Sequence, residues 1–80
     1  MIIEIFSKDN CSYCDRAISA AQQFIQESKH IYEVKKLGVD FSREELFENF
    51  PEARTFPQIR IDGEAIGGYA EFLHFLEKSR

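Results

Sequence analysis

The spacing of apolar and polar positions changes period several times along this chain, and each change marks an element. Ile2 to Phe6 is a short, Ile-rich run closed by polar Ser7, Lys8, Asp9 and Asn10, the pattern of a largely buried strand. From Cys14 onward, Ala17, Ile18, Ala21, Phe24 and Ile25 recur at spacings of three and four, which predicts one face of a helix. Ile31 to Leu37 returns to strand character, with Tyr32 and Val34 alternating with Glu33 and Lys35.

A second helix is signalled locally. Ser42 is placed as its N-cap, Glu45 three residues on completes a capping box, and Phe41 and Leu46 occupy the two hydrophobic-staple positions. The helix should stop before Pro51, because proline disfavours a helical residue ahead of it. Gln58 to Ile61 then alternates, Asp62-Gly63 is a two-residue hairpin signal, and Ala65-Ile66 forms the returning arm. Gly67-Gly68 breaks that arm, and Tyr69, Phe72, Leu73 and Leu76 form the stripe of a closing helix.

The predicted order is β-α-β-α-β-β-α. A β-α-β unit makes the first two strands parallel with a right-handed crossover, and the hairpin adds antiparallel neighbours. The expected architecture is α/β, a mixed four-stranded sheet flanked by three helices. No repeat, low-complexity segment or linker interrupts it, so residues 1–80 are read as a single domain. A hydrophobic content of 44%, with eight Phe and three Tyr, fills one core and leaves no room for a second.

Charge narrows the partners. Ten basic and fourteen acidic residues give a net charge of −4, with no basic cluster longer than Lys35-Lys36, so nucleic acid is not an expected partner. Glu4 interrupts the opening apolar residues and no run reaches membrane-spanning length, so neither a signal peptide, an anchor nor a membrane role is expected. A soluble cytoplasmic protein is the expectation. In that reducing compartment a short Cys-x-x-Cys points to catalysis or metal binding rather than to a structural staple.

Cys11 and Cys14 are the only cysteines. The loop between them is too short to constrain an unfolded chain much. Helical register separates their roles: Cys14 belongs to the apolar stripe, whereas Cys11 lies just before or within the first turn. A helix N-terminus carries roughly half a positive charge and unpaired N–H donors, and cysteines so placed in Cys-x-x-Cys pairs have pKa values lowered to about 3.5 to 7.5. Lys8 and Arg16 favour the Cys11 thiolate further, while Asp9 and Asp15 oppose it. The spacing also brings the sulfurs within disulfide reach, so Cys14 can attack a mixed disulfide formed at Cys11. Zinc would require about four ligands, and outside this pair only His30 and His74 are available, without zinc-finger spacing. His74 falls off its helix stripe and His30 sits in a helix-to-strand turn.

Taken together, a strand, a Cys-x-x-Cys opening a helix, Thr55-Phe56-Pro57 before a hairpin and Ile66-Gly67-Gly68-Tyr69 before the last helix make this chain resemble a small dithiol glutaredoxin of the thioredoxin fold. The resemblance runs from Ile2 to about Leu76. It implies a glutathione-dependent thiol-disulfide oxidoreductase acting on protein disulfides and glutathione mixed disulfides. Glutathione is then a co-substrate, and no tightly bound cofactor is expected. Cys11 becomes the nucleophile and Cys14 the resolving thiol. The glutathione contacts implied are Lys8 with the glycine carboxylate, Tyr13 beside the active site, Thr55, Phe56 through its main chain, Pro57 with a cis bond, Gly67, Gly68 and Tyr69, and Glu71 with the γ-glutamyl ammonium. Arg54 and Gln58 are weaker candidates for the same carboxylate. From the residues alone, Pro57 would default to an ordinary trans bond.

The resemblance further implies oxidised client proteins, ribonucleotide reductase among them, and a monomer. There are three departures from the family: Ser12 replaces its familiar proline, Phe56 its frequent valine, and Tyr69-Ala70-Glu71 stands where it commonly has acidic or hydroxyl residues at the start of the last helix. Some glutaredoxins with Ser at this position hold a [2Fe-2S] cluster between two subunits through the nucleophilic cysteine and glutathione sulfur, which would make Cys11 a ligand. The alternatives are therefore a glutaredoxin-like protein reduced by thioredoxin reductase, a glutathione-ligated [2Fe-2S] carrier, and a thioredoxin-fold interaction module without turnover.

Overall fold

The computed structural model describes residues 1–26 and 29–79. Its elements are β1 (Ile2–Ser7), α1 (Ser12–Ile25), β2 (Ile31–Lys36), α2 (Arg43–Asn49), β3 (Gln58–Ile61), β4 (Glu64–Gly67) and α3 (Tyr69–Lys78). The sheet has the order β2-β1-β3-β4, with β1 parallel to β2 and antiparallel to β3, and β3 antiparallel to β4. This is the mixed four-stranded sheet with three helices that the periodicity predicts. Part of the expected turn between α1 and β2, at Glu27 and Ser28, lies outside the described residues.

β1 lies between β2 and β3, and its alternation divides the core in two. Ile3 and Ile5 point to one face and are fully buried with Ile59 and Ile61 of β3, Ala17 and Ala21 of α1, and Phe72 and Leu76 of α3. Small alanines let α1 approach the sheet closely, while Phe72 fills the space between layers. Phe6 points to the opposite face and meets Phe41, Leu46 and Phe50 in a second cluster. Its ring makes edge-on contacts with Phe41 at 5.1 Å and Phe50 at 5.0 Å, the geometry favoured by aromatic quadrupoles. That cluster is where α2 joins the sheet.

Local signals act as expected at both turns they govern. Ser42 accepts from the Glu45 N–H at 3.1 Å and Glu45 returns a carboxylate to the Ser42 N–H at 3.1 Å, the reciprocal capping box. Asp62 and Gly63 both have positive φ, 51° and 84°, as the tight hairpin between β3 and β4 requires.

Three details differ from the periodicity. β2 ends at Lys36, and Leu37 instead bridges to Phe41. Val34 is 42% exposed although its strand register places it level with buried Ile5, because β2 is an edge strand at the margin of the helical layer. In α3, Phe75 packs against the core, whereas Leu73, expected in the stripe, is half-buried in the groove beside α1.

Candidate active site

β1 delivers the chain to the site, and its exit is tied down from both sides. Buried Ser7 donates from Oγ to the Lys35 carbonyl at 3.0 Å and accepts the Leu37 N–H at 2.9 Å. Lys8, Asp9 and Asn10 are exposed, and Asn10 takes φ 54°, a left-handed conformation that asparagine tolerates better than most residues. That reversal sets Cys11 at the N-cap of α1 with extended backbone, φ −125° and ψ 101°.

The two cysteines occupy unequal environments. Cys11 is partly exposed and Cys14 is 1% exposed, set among the residues that α1 turns inward. They are joined as a disulfide, with Cα atoms 5.2 Å apart. The Cys14 N–H donates to Cys11 Sγ at 3.2 Å, so the Cys11 sulfur occupies the acceptor position that a Ser or Asp side chain fills at an ordinary N-cap. In the dithiol form, charge on that sulfur faces a free backbone donor and the positive end of α1.

Three contacts draw the remaining candidates around this helix start. Tyr13, 53% exposed, lies against Tyr69 of α3 with ring centroids 5.5 Å apart, and the Arg16 guanidinium covers Tyr13 at 5.2 Å. Lys8 extends its ammonium over the Phe56 ring at 5.6 Å. The Phe56-Pro57 bond is cis, where the resemblance implied it and the residues alone did not. Gly68 closes the circle: a Cβ there would stand 3.4 Å from the Pro57 carbonyl oxygen and 3.8 Å from Thr55 Oγ1, which places the start of α3 against the proline loop.

A cavity of about 530 Å³ beside this loop is lined by Arg54, Thr55, Gly67, Gly68 and Glu71 among others. Two residues beside it have partners within the chain. Gln58 is buried and donates from Nε2 to the Thr55 carbonyl at 2.8 Å, so it braces the proline loop rather than presenting its amide to a ligand. Glu71 folds back, with Oε1 accepting the Gly68 N–H at 2.7 Å. Its carboxylate thus satisfies the backbone N–H at the N-cap of α3, where Gly68 has no side chain to cap from its own position. Gly67 takes φ 117°, and a Cβ added to it would lie 2.9 Å from Glu71 Cγ. Ser12 and Ala70 are both exposed, and His74 is solvated on the outer side of α3. His30 stacks on Phe24 at 5.5 Å, well away from the cysteine pair in the fold.

Among the described residues, no group of three or more His, Cys, Asp or Glu converges to hold a metal ion. A [2Fe-2S] cluster at Cys11 would draw its remaining ligands from outside the chain, since Cys14 is buried. Nor is any helix among the described residues long and apolar enough to cross a membrane.

A four-stranded mixed sheet with a Cys-x-x-Cys disulfide at the start of α1 and a cis-proline loop facing α3 defines a thioredoxin-like fold. The glutaredoxin family model matches residues 3–66, and the chain belongs to the glutaredoxin family. Oxidised Escherichia coli glutaredoxin is 29% identical and superposes with a TM-score of 0.83, covering 98% of this chain and 95% of that one. The reduced form of E. coli glutaredoxin gives 28% identity and 0.79 over the same shares. Glutaredoxin 1 from Francisella tularensis, solved with cacodylate, shares the fold at 23% identity and a TM-score of 0.59, with 98% and 94% covered. No curated protein sequence matches the chain significantly. Family and fold support a thiol-disulfide oxidoreductase.

Proposed function

We propose that the chain is a glutathione-dependent oxidoreductase that reduces protein disulfides and glutathione mixed disulfides in the cytoplasm. The observation that carries this reading is the inequality of the cysteines: one sulfur is reachable and faces a helix N-terminus, and its partner is buried behind it. Only Cys11 can meet a substrate first.

With a glutathione mixed disulfide, the Cys11 thiolate attacks the glutathione sulfur, the S–S bond breaks, and the client leaves as a thiolate that takes up a proton. A second glutathione thiolate then attacks the glutathionylated Cys11, forming oxidised glutathione and restoring the Cys11 thiolate. With a protein disulfide, Cys11 attacks one sulfur and Cys14 resolves the intermediate, which releases the client dithiol and leaves the Cys11–Cys14 disulfide. Two glutathione molecules then reduce that bond. Lys8, the main chain of Phe56, Gly67, Gly68 and Tyr69 supply a charge, an edge and two close backbone approaches suited to a small tripeptide. Oxidised proteins such as ribonucleotide reductase are the client class.

The test is a coupled assay with glutathione, glutathione reductase and NADPH on a small glutathione mixed disulfide. Steady NADPH oxidation is expected. If the protein is inert there yet is reduced by thioredoxin reductase, the electron donor is misassigned.

A further inference from the structure

Lys8 lies three residues before Cys11, and what holds its side chain is a ring rather than an acid. Its neighbour Asp9 is occupied by Lys36, Oδ1 to Nζ at 2.6 Å, and Lys8 makes no ion pair among the described residues. Its ammonium lies 5.6 Å above the Phe56 centroid. The other side of Phe56 is anchored, since the ring stacks on Phe41 at 6.3 Å and packs against the Phe6, Phe41, Leu46 and Phe50 cluster. One half-buried ring thus fixes a flexible side chain to the core of the α2 face.

A cation held over a ring differs from one held in a salt bridge. The quadrupole of the ring attracts the ammonium without neutralising it, so its three donors and full charge stay available to an incoming anion. A lysine moving freely in solvent would lose rotamer entropy on meeting a ligand carboxylate, and stacking removes part of that cost beforehand. We infer that Phe56 is a positioning residue: its ring holds Lys8 ready for the terminal carboxylate of the thiol tripeptide, while its main chain borders the cis-proline loop. This rests on the glutathione reading above and adds to it a residue that acts through Lys8.

Steady-state rates with two probes test it: a peptide mixed disulfide with glutathione, and the same disulfide made with glutathione whose C-terminus is a carboxamide. The quantity read is the ratio of kcat/KM for acid over amide, with the change expected in KM rather than kcat. Phe56→Leu, which keeps apolar packing and removes the ring, should lower that ratio about threefold, as expected for an exposed cation–π contact. Phe56→Tyr should restore it, and Lys8→Met should bring the ratio close to one. An unchanged ratio in folded Phe56→Leu, or an equal fall in Phe56→Tyr, overturns the inference. Should Phe56→Leu fail to fold, Phe56→Met, which keeps more of the packing volume without a ring, takes its place, and an unchanged ratio there overturns the inference. Absence of turnover with either probe in the unsubstituted protein would instead strike at the glutathione reading itself.

Discussion

The rings of Tyr13 and Tyr69 meet with centroids 5.5 Å apart and planes inclined at 44°, joining the first turn of α1 to the first turn of α3 directly beside the cysteine pair. Arg16, one turn along α1, covers the Tyr13 ring at 5.2 Å. An aromatic pair of this kind contributes about 0.5–1.5 kcal/mol beyond its buried area. Denaturation of Tyr13→Ala, Tyr69→Ala and the double variant should therefore give a coupling energy of about 1 kcal/mol. Additive losses would mean that the rings are neighbours without energetic consequence.

The cysteines should fail differently. Cys11→Ser removes the reachable sulfur and is expected to abolish all exchange, at least a hundredfold below the unsubstituted protein and on the order of background. Cys14→Ser should keep turnover of glutathione mixed disulfides, because glutathione itself can resolve the Cys11 adduct, while losing most reduction of protein disulfides. Turnover of both substrates should be followed in parallel. If Cys14→Ser is dead toward the glutathione mixed disulfide, the roles are reversed.

Much of this arrangement is legible from local pattern. The Ser42–Glu45 box and the Asp62-Gly63 turn are encoded within four residues and appear where expected. The inward position of Cys14 follows from its place in the α1 stripe. What local pattern does not contain is partnership across the chain. Nothing near Glu4 announces Arg60, which is 56 residues away and reaches it only because β1 and β3 pair in that register. Nothing near Gln58 reveals that its amide is consumed by Thr55, since an exposed and a buried glutamine look alike in sequence. That Phe75 packs against the core cluster while Leu73, equally half-buried, lines the groove beside α1 likewise depends on where α1 lies, not on the spacing within α3.

Gly67 and Gly63 offer a controlled comparison of backbone and contact. Both have positive φ, 117° and 84°, but a Cβ at Gly63 meets nothing within 4 Å, whereas one at Gly67 meets Glu71 Cγ and Oε1 at 2.9 Å. Gly63→Ala should cost about 1 kcal/mol of stability from backbone strain alone. Gly67→Ala should cost about 2–3 kcal/mol, because it also displaces the carboxylate that caps α3 and exposes the Gly68 N–H. Thermal unfolding of both variants, with and without Glu71→Ala, separates the two causes. Equal losses at the two glycines would remove the Glu71 contact from the explanation.

On the α2 face of the sheet, Arg60 grips Glu4 through two hydrogen bonds of 2.7 Å, and Lys35 adds a third contact to the same carboxylate at 2.8 Å. Arg60 also donates to Asn49 Oδ1 at 2.6 Å, linking the network to α2, and both cations lie over the Phe6 ring. The Arg60 hydrogen bonds dominate: they hold the Glu4 pKa at about 2 against the ordinary 4.5, although burial pushes it upward, and Lys35 assists. A folded-state value below the unfolded one means stability that is complete above about pH 4.5 and lost as pH falls toward 2. A shift of that size corresponds to about 3 kcal/mol, reduced by solvent screening to about 1–2 kcal/mol. Glu4→Gln should therefore lower stability at pH 7 and flatten its decline between those limits. Urea denaturation of both proteins at pH 7, 4.5 and 3 provides the comparison, since the two differ only at this carboxyl group. Parallel stability curves over that range would show that the Glu4 carboxylate, despite its three short contacts, contributes no pH-dependent stability.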